Sequence, residues 1–348
     1  VHPDAPLSSA VDEVTLAVGV PLAVEPMLPE VERPRTLTAP PTAADRAFRA
    51  LVTAGGAAVL VIMGLIAVFL AVRAAQALKR AGFRFLTEQN WLPGSNRFGI
   101  AAVLPNGVFI ALIALVIAVP IALSTALFIS EYAPAWLQRP LITLVDLMAA
   151  VPSIVYGIWG AYFLQGELIG PIRFLATHLS WVPFFKVRTG DYPSSYTSST
   201  AIAGFVVGIM IIPITTALSR EVFSQAPIGE REAAYALGST RWGMIRTVVL
   251  PYGRGGAIGA IMLGLGRAMG ETITVALIVS PAFLFNYHVL EGSGISISAL
   301  IALRFGDSSQ VSLSALMAAG LVLFVITLII NALASVVITR SRSGASTS

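Results

Sequence analysis

Six runs of apolar residues, each long enough to cross a bilayer as a helix, dictate most of what this chain can become. They fall at 51–72, 108–129, 141–164, 201–218, 256–279 and 314–338, and about 20 residues suffice to span the hydrocarbon core. In lipid every backbone N–H and C=O must find its partner within the protein, so runs of this length become helices. The expected fold class is an all-α integral membrane protein with six transmembrane helices. Composition agrees, because 56% of the 348 residues are hydrophobic and only 11% charged, a balance that no water-soluble chain could carry on its surface. Cysteine is absent, which excludes disulfides and thiolate metal sites, and His2, His178 and His288 are too scattered to suggest a metal cluster.

An even number of spans places both termini on one side. With the termini inside, twelve of the 22 Lys and Arg residues lie inside, nine lie outside and Arg267 lies within a span. The positive-inside bias is weak, because Arg73, Lys79, Arg80, Arg84 and Arg97 share the first outer loop. Residues 74–86 are expected to form a basic amphipathic helix along the outer lipid surface. Residues 1–45 hold eight of the 21 prolines and seven acidic residues, and are expected to be a flexible cytoplasmic tail. The expected organisation is that tail, the first span with the external segment over 46–98, a core over 99–340 with a polar cytoplasmic loop at 219–255, and a second cytoplasmic tail at 341–348.

The polar loop carries the densest signal. Glu232-Ala233-Ala234-Tyr235-Ala236-Leu237-Gly238 runs through Arg241 and Trp242 to Leu250-Pro251. This reads as a helix-turn-helix between two spans, with small residues that admit a close neighbour, Gly238 ending the first helix and Pro251 ending the second. An ordinary amphipathic cytoplasmic loop is the plainer reading. The stretch resembles the EAA loop of ABC-importer permeases, which docks into a groove on a cytoplasmic ATPase, and it agrees at Glu232, Ala233, Ala234, Gly238, Leu250 and Pro251. It departs at Val248, where that family usually has Ile.

Within the spans, Pro120, Pro152 and Pro213 each remove a backbone donor and bend or locally unwind a helix. The fifth run spaces Gly256, Ala260, Gly264 and Ala268 four residues apart, and Gly266 from Gly270, a pattern for close helix packing. Arg267 lies about 17 Å into that run at 1.5 Å per residue, close to mid-membrane, where an ionisable side chain is costly unless paired or hydrated. Glu271 follows one helical turn later. The two either neutralise each other or each reach a partner on a neighbouring helix; as a pair they serve either a pathway in which a passing oxyanion competes for Arg267, whose planar fork suits such oxygens, or a purely structural role. Asp146, near the start of the third run, reads as a snorkelling or capping residue. The external loop 166–200 reads either as solvated or as a surface for a binding protein.

Gly264-Leu265-Gly266-Arg267-Ala268-Met269-Gly270-Glu271-Thr272 and Ala149-Ala150-Val151-Pro152-Ser153-Ile154-Val155-Tyr156-Gly157 are similar to segments of the permeases of the Pst phosphate importer. Ser130-Glu131-Tyr132-Ala133-Pro134 and Trp91-Leu92-Pro93 leading to Phe98-Gly99 look more like its C subunit than its A subunit. The resemblance covers residues 90–340 and implies a type I ABC importer permease with the MetI-like fold, in the bacterial inner membrane. It implies as partners a homologous A-type permease, a cytoplasmic ATPase dimer that carries ATP and Mg, and an extracytoplasmic phosphate-binding protein. The candidate substrate-pathway residues are Arg267, Glu271, Thr272, Ser153 and Tyr156. No cofactor is expected on the chain itself, since neither Lys79 nor Lys186 can complete a phosphate-binding Walker A loop. A permease for another oxyanion, or a secondary transporter or channel, is the alternative. A membrane enzyme is disfavoured, as neither His-Glu-x-x-His nor Gly-x-Ser-x-Gly occurs.

Overall fold

The computed structural model describes residues 42–95, 97–280, 283, 286–292, 294–306 and 309–342, with side chains as far as residue 336. The tail expected over 1–45 therefore lies outside the described residues, apart from its last four. These four already open the first helix, α1 (Ala43–Ala81). Thr42 and Asp45 cap it reciprocally: the Thr42 N–H and hydroxyl donate to Asp45 Oδ2 at 3.0 and 2.7 Å, and the Asp45 N–H returns a bond to Thr42 Oγ1 at 3.2 Å. Contacts divide the chain after Val59 into two units. The described part of the first is the opening stretch of α1, and all that follows concerns the second.

Among the described residues the remaining helices of six residues or more are α2 (Val103–Tyr132), α3 (Ala135–Ala150), α4 (Ser153–His178), α5 (Thr200–Ser224), α6 (Ile228–Ala236), α7 (Arg241–Gly270), α8 (Ile273–Ile278), α9 (Ile297–Arg304) and α10 (Gln310–Arg342). Five of them, α1, α2, α5, α7 and α10, are long and apolar enough to cross a membrane, and α3 with α4 adds a sixth if the bent pair is one span. Three carry a wide turn closed by a bond to the fifth residue back: Ala133 N–H to the Phe128 carbonyl, Gln165 N–H to Gly160 and Leu250 N–H to Ile245.

Four expectations need correction. Residues 74–81 do not lie as a separate surface helix; they continue α1. Ala74 and Ala77 are buried, and the Ser314 hydroxyl both accepts from the Ala77 N–H at 3.0 Å and donates to the Arg73 carbonyl at 2.7 Å, fastening that turn to α10. The third run bends at Pro152 as expected, with α3 and α4 meeting at 84°. The helix after that bend does not stop near Leu164; it continues to His178, so about a third of the expected external loop belongs to it. The fifth run breaks after Gly270, and α8 is a separate helix. Fourth, Pro251 does not end a helix. The wide turn at Ile245–Val249 sits immediately before it, where the ring would otherwise press on the carbonyl four residues back, and α7 passes through. Pro120 and Pro213 likewise remain inside helices.

Small residues set the core. Ala114, Ala118, Ala122 and Ala126 form a buried stripe along α2, against which α5 presents Gly204 and Gly208. A Cβ at Gly204 would stand 2.7 Å from Ile113, and one at Gly208 3.2 Å from the Ala114 carbonyl. On its other flank α5 receives α7: a Cβ at Gly253 would meet Phe223 at 2.5 Å, at Gly256 Val222 at 2.4 Å, and at Gly264 the Thr215 hydroxyl at 2.9 Å. The close packing expected of Gly256, Ala260, Gly264 and Ala268 is thus present, while Gly266 and Gly270 face open space. Without a hydrophobic driving force between helices in lipid, such contacts hold the bundle by dispersion.

Candidate functional site

Two chain breaks meet inside the bundle. At the first, Pro152 forces Val151 into extended backbone (ψ 127°), and α4 starts afresh at Ser153. At the second, Glu271 is itself extended (φ −66°, ψ 127°), so its side chain leaves the face of α7 and turns over the start of α8. The starts of α4 and α8 are pressed together: a Cβ at Gly157 would lie 3.1 Å from Thr274 Cα. The Thr274 hydroxyl stands 2.9 Å from Glu271 Oε1 and 3.1 Å from the Ser153 carbonyl, its one proton serving either acceptor. The Thr274 N–H donates to Glu271 Oε1 at 3.2 Å, and Ser298 Oγ donates to the Glu271 carbonyl at 2.7 Å.

The pairing of Arg267 with Glu271, one of the two arrangements expected, is not formed among the described residues, whose ion pairs join Arg173 to Asp191, Arg220 to Glu221 and Arg231 to Glu131. Because the helix ends at Gly270, the two side chains no longer share a face. Buried Glu271 is satisfied by α8. Arg267 is exposed on a strip of α7 with Leu263 and Gly270. The Tyr156 hydroxyl donates across the bend to the Met148 carbonyl at 3.1 Å, and Thr272 Oγ1 donates to the Gly270 carbonyl at 3.1 Å. Ser153, Glu271 and Thr272 therefore cluster at the breaks, and Arg267 and Tyr156 beside them. Asp146 lies exposed on α3. Thr274 and Ser298 were not anticipated, since isolated hydroxyls in apolar runs carry no spacing signal.

The loop at 225–240 forms as expected up to its turn. Gly238 takes φ +81°, the Ser239 N–H bonds the Ala234 carbonyl at 3.1 Å and the Gly238 N–H that of Tyr235 at 2.9 Å, which closes α6 with a left-handed glycine cap. Thr240 then caps α7 by accepting from the Gly243 N–H at 3.1 Å. Ala234 faces inward with Phe223, Met244 and Ile245, while Glu232, Ala233 and Leu237 face out. Arg231 anchors this helix. Its Nη1 meets Glu131 Oε2 at 3.0 Å, Nη2 the Phe223 carbonyl at 2.7 Å and Nε the Ala226 carbonyl at 3.1 Å, joining α6 to the ends of α2 and α5. Glu131 is buried, a position that an acidic residue directly after an apolar run could have suggested.

At the opposite end of α5, two loops are locked together. Buried Glu291 accepts from the N–H groups of Arg188 and Thr189 and, at 2.7 Å, from Asn286 Nδ2. His288 Nδ1 lies 2.9 Å from the Pro183 carbonyl. Asp191 is held by Arg173 and by the Tyr196 hydroxyl at 2.7 Å. Those two partners, Arg173 first, keep its carboxyl below the usual carboxylate range, while burial, with Asp191 second, pushes the Tyr196 phenol up to about 12.

Comparison with known proteins accords with this architecture. Over 294 residues the chain is 39% identical to the phosphate transport system permease protein PstC 2 of Mycobacterium tuberculosis, covering 83% of this chain and 90% of that protein. It is 38% identical to PstC of Xylella fastidiosa over 298 residues, covering 85% and 91%, and 36% identical to PstC of Mesorhizobium japonicum over 328 residues, covering 93% and 99%. Among solved structures it resembles a bacterial ABC transporter involved in import of the acidic polysaccharide alginate, with a TM-score of 0.56 and 15% identity over 85% of this chain and 96% of that one, a likeness of fold. Residues 118–343 match the model of the binding-protein-dependent transport system inner membrane component, and the chain belongs to that family.

Proposed function

We propose that this chain is a transmembrane permease subunit of an ATP-driven inorganic phosphate importer, forming half of the translocation pathway and coupling it to a cytoplasmic ATPase. The observation that carries the reading is identity of 36–39% over 83–93% of the chain with permeases of phosphate transport systems. The geometry supports a division of labour. The outward side of α6, with Glu232, Ala233 and Leu237, is free to enter a groove on an ATPase dimer, which would bind ATP and Mg. Arg231 and the seam through Ala234 give that helix a stiff connection to α2, α5 and α7. A homologous permease would cover the exposed strip of α7.

In this reading Arg267 receives phosphate oxygens from that strip, where a guanidinium offers two parallel donors. Glu271, satisfied by Thr274, stays out of the anion's way and holds α8 against α4 at the breaks through which the two helices can shift. An extracytoplasmic phosphate-binding protein would deliver the anion to the end that carries Glu291 and Asp191, and both termini would lie in the cytoplasm. The test is affinity purification of the full chain in mild detergent, identification of the co-purifying chains, and phosphate uptake with and without ATP. Uptake that persists without ATP and without a co-purifying ATPase would identify a secondary transporter or channel instead.

A further inference from the structure

A groove of about 420 Å³ runs along one flank of α7, between it and the ends of α2 and α5. Its walls include Leu123 of α2, Phe223 of α5, and Arg246, Arg254, Ile258 and Ile261 of α7. From Arg246 to Ile261 the groove covers roughly 22 Å of helix at 1.5 Å per residue. Arg246 stands at the end near the α6 loop and Arg254 about 12 Å further along the helix, and beyond Arg254 the lining is hydrocarbon. Among the described residues no carboxylate lines it. Arg246 and Arg254 are both exposed, and among the described residues neither enters an ion pair, those being confined to Arg173, Arg220 and Arg231.

This polarity runs along a helix long and apolar enough to cross a membrane. Two cations along the half nearer the loop and an apolar stretch beyond them complement an amphiphile with an anionic head, whereas a small anion would use the arginines and leave the apolar stretch unfilled. Basic pockets between transmembrane helices at the interface favour anionic headgroups, and each buried methylene adds to binding. We propose that the groove holds one anionic phospholipid of the leaflet from which the α6 loop emerges, its phosphodiester between Arg246 and Arg254 and an acyl chain along Ile258 and Ile261. The lipid would bridge α2, α5 and α7 at the foot of the loop, whatever substrate the chain carries.

The experiment is native mass spectrometry of the full chain, with whatever chains co-purify, in mild detergent with added phosphatidylglycerol or phosphatidylcholine of identical acyl chains. The expected result is retention of phosphatidylglycerol in preference to phosphatidylcholine by roughly 25-fold, two arginines each contributing about a factor of five. Arg246→Gln with Arg254→Gln brings the two lipids near parity, whereas Arg139→Gln on α3 leaves the preference intact. Ile258→Trp, which fills the apolar part and keeps both charges, lowers retention of both lipids. Equal retention by the unaltered protein, or a preference that survives the double substitution, overturns the proposal. So does displacement of phosphatidylglycerol by inorganic phosphate, which would make the arginines a site for the free anion.

Discussion

Arg231→Met should be among the most destabilising single changes in the loop region, and its size follows from the surroundings of Glu131. That carboxylate has a side chain only 3% exposed, and Arg231, 19% exposed, is its ion-pair partner. Its other oxygen, Oε1, is buried without a hydrogen-bond partner among the described residues. Removing one member of a buried pair costs about 3–5 kcal/mol, because the other is left charged in a poorly polarisable interior. Water reaching the partly exposed Arg231 moves the expectation to the lower end, about 3 kcal/mol. The Phe223 and Ala226 carbonyls lose their donors as well. The assay is urea unfolding in detergent micelles, with hydrogen exchange of residues 222–240. Arg231→Met combined with Glu131→Leu removes the stranded charge and should recover most of the loss. A single-variant cost below about 1 kcal/mol, or a double variant no better than the single, would refute the claim that Glu131 depends on Arg231.

Gly238→Trp should leave the chain inserted and abundant but abolish ATPase co-purification and uptake; the left-handed backbone at φ +81° adds about 1–2 kcal/mol of local strain for any L side chain, and a control Gly238→Ala separates strain from bulk. Arg267→Gln should eliminate phosphate uptake while changing unfolding free energy by less than about 0.5 kcal/mol, because Arg267 forms no ion pair with Glu271; a large stability loss would restore the structural pairing. Glu271→Ala should cost about 1 kcal/mol through loss of the bonds to Thr274, measured by the same unfolding, with Glu271→Gln nearly neutral. The Asp191 carboxyl titrates below its usual range, so the ordering it gives the loop is present above the unfolded carboxylate value and is lost only as pH falls through the lowered one. Hydrogen exchange of residues 188–196, corrected for intrinsic rates, should be unchanged from about pH 8 to pH 5 and increase on Asp191→Asn.

The membrane class, the α6 turn and the small-residue packing of α7 were legible because each rests on local chemistry: apolar length, a glycine cap, fourfold spacing. The alanine stripe of α2 was equally legible in principle, since Ala114, Ala118, Ala122 and Ala126 show the same spacing. The breaks were harder. Pro152 marked a bend, but only packing of α4 onto α8 and α5, with Gly157 and Gly160 in near contact, decides that the bend is 84°. Nothing between Gly270 and Thr272 forbids a helix; the break at Glu271 is held by its local bonds to Thr274, three residues on, and by the tertiary bond from Ser298, and the pairing with Arg267 is not formed for that reason. Pro251 misled in the opposite direction, because a wide turn one residue earlier accommodates its ring. The Arg231–Glu131 pair joins residues 100 positions apart, a separation at which neither spacing nor composition carries information.

The most direct test of the central claim is phosphate transport by the purified assembly in proteoliposomes, with ATP enclosed on the side of the α6 loop and the phosphate-binding protein on the other. Phosphate should accumulate on the ATP side only when ATP, the ATPase and the binding protein are all present, and Arg267→Gln should abolish that accumulation without dissociating the assembly. Phosphate flux of equal size without ATP, or accumulation undiminished in the Arg267→Gln assembly, would contradict the account.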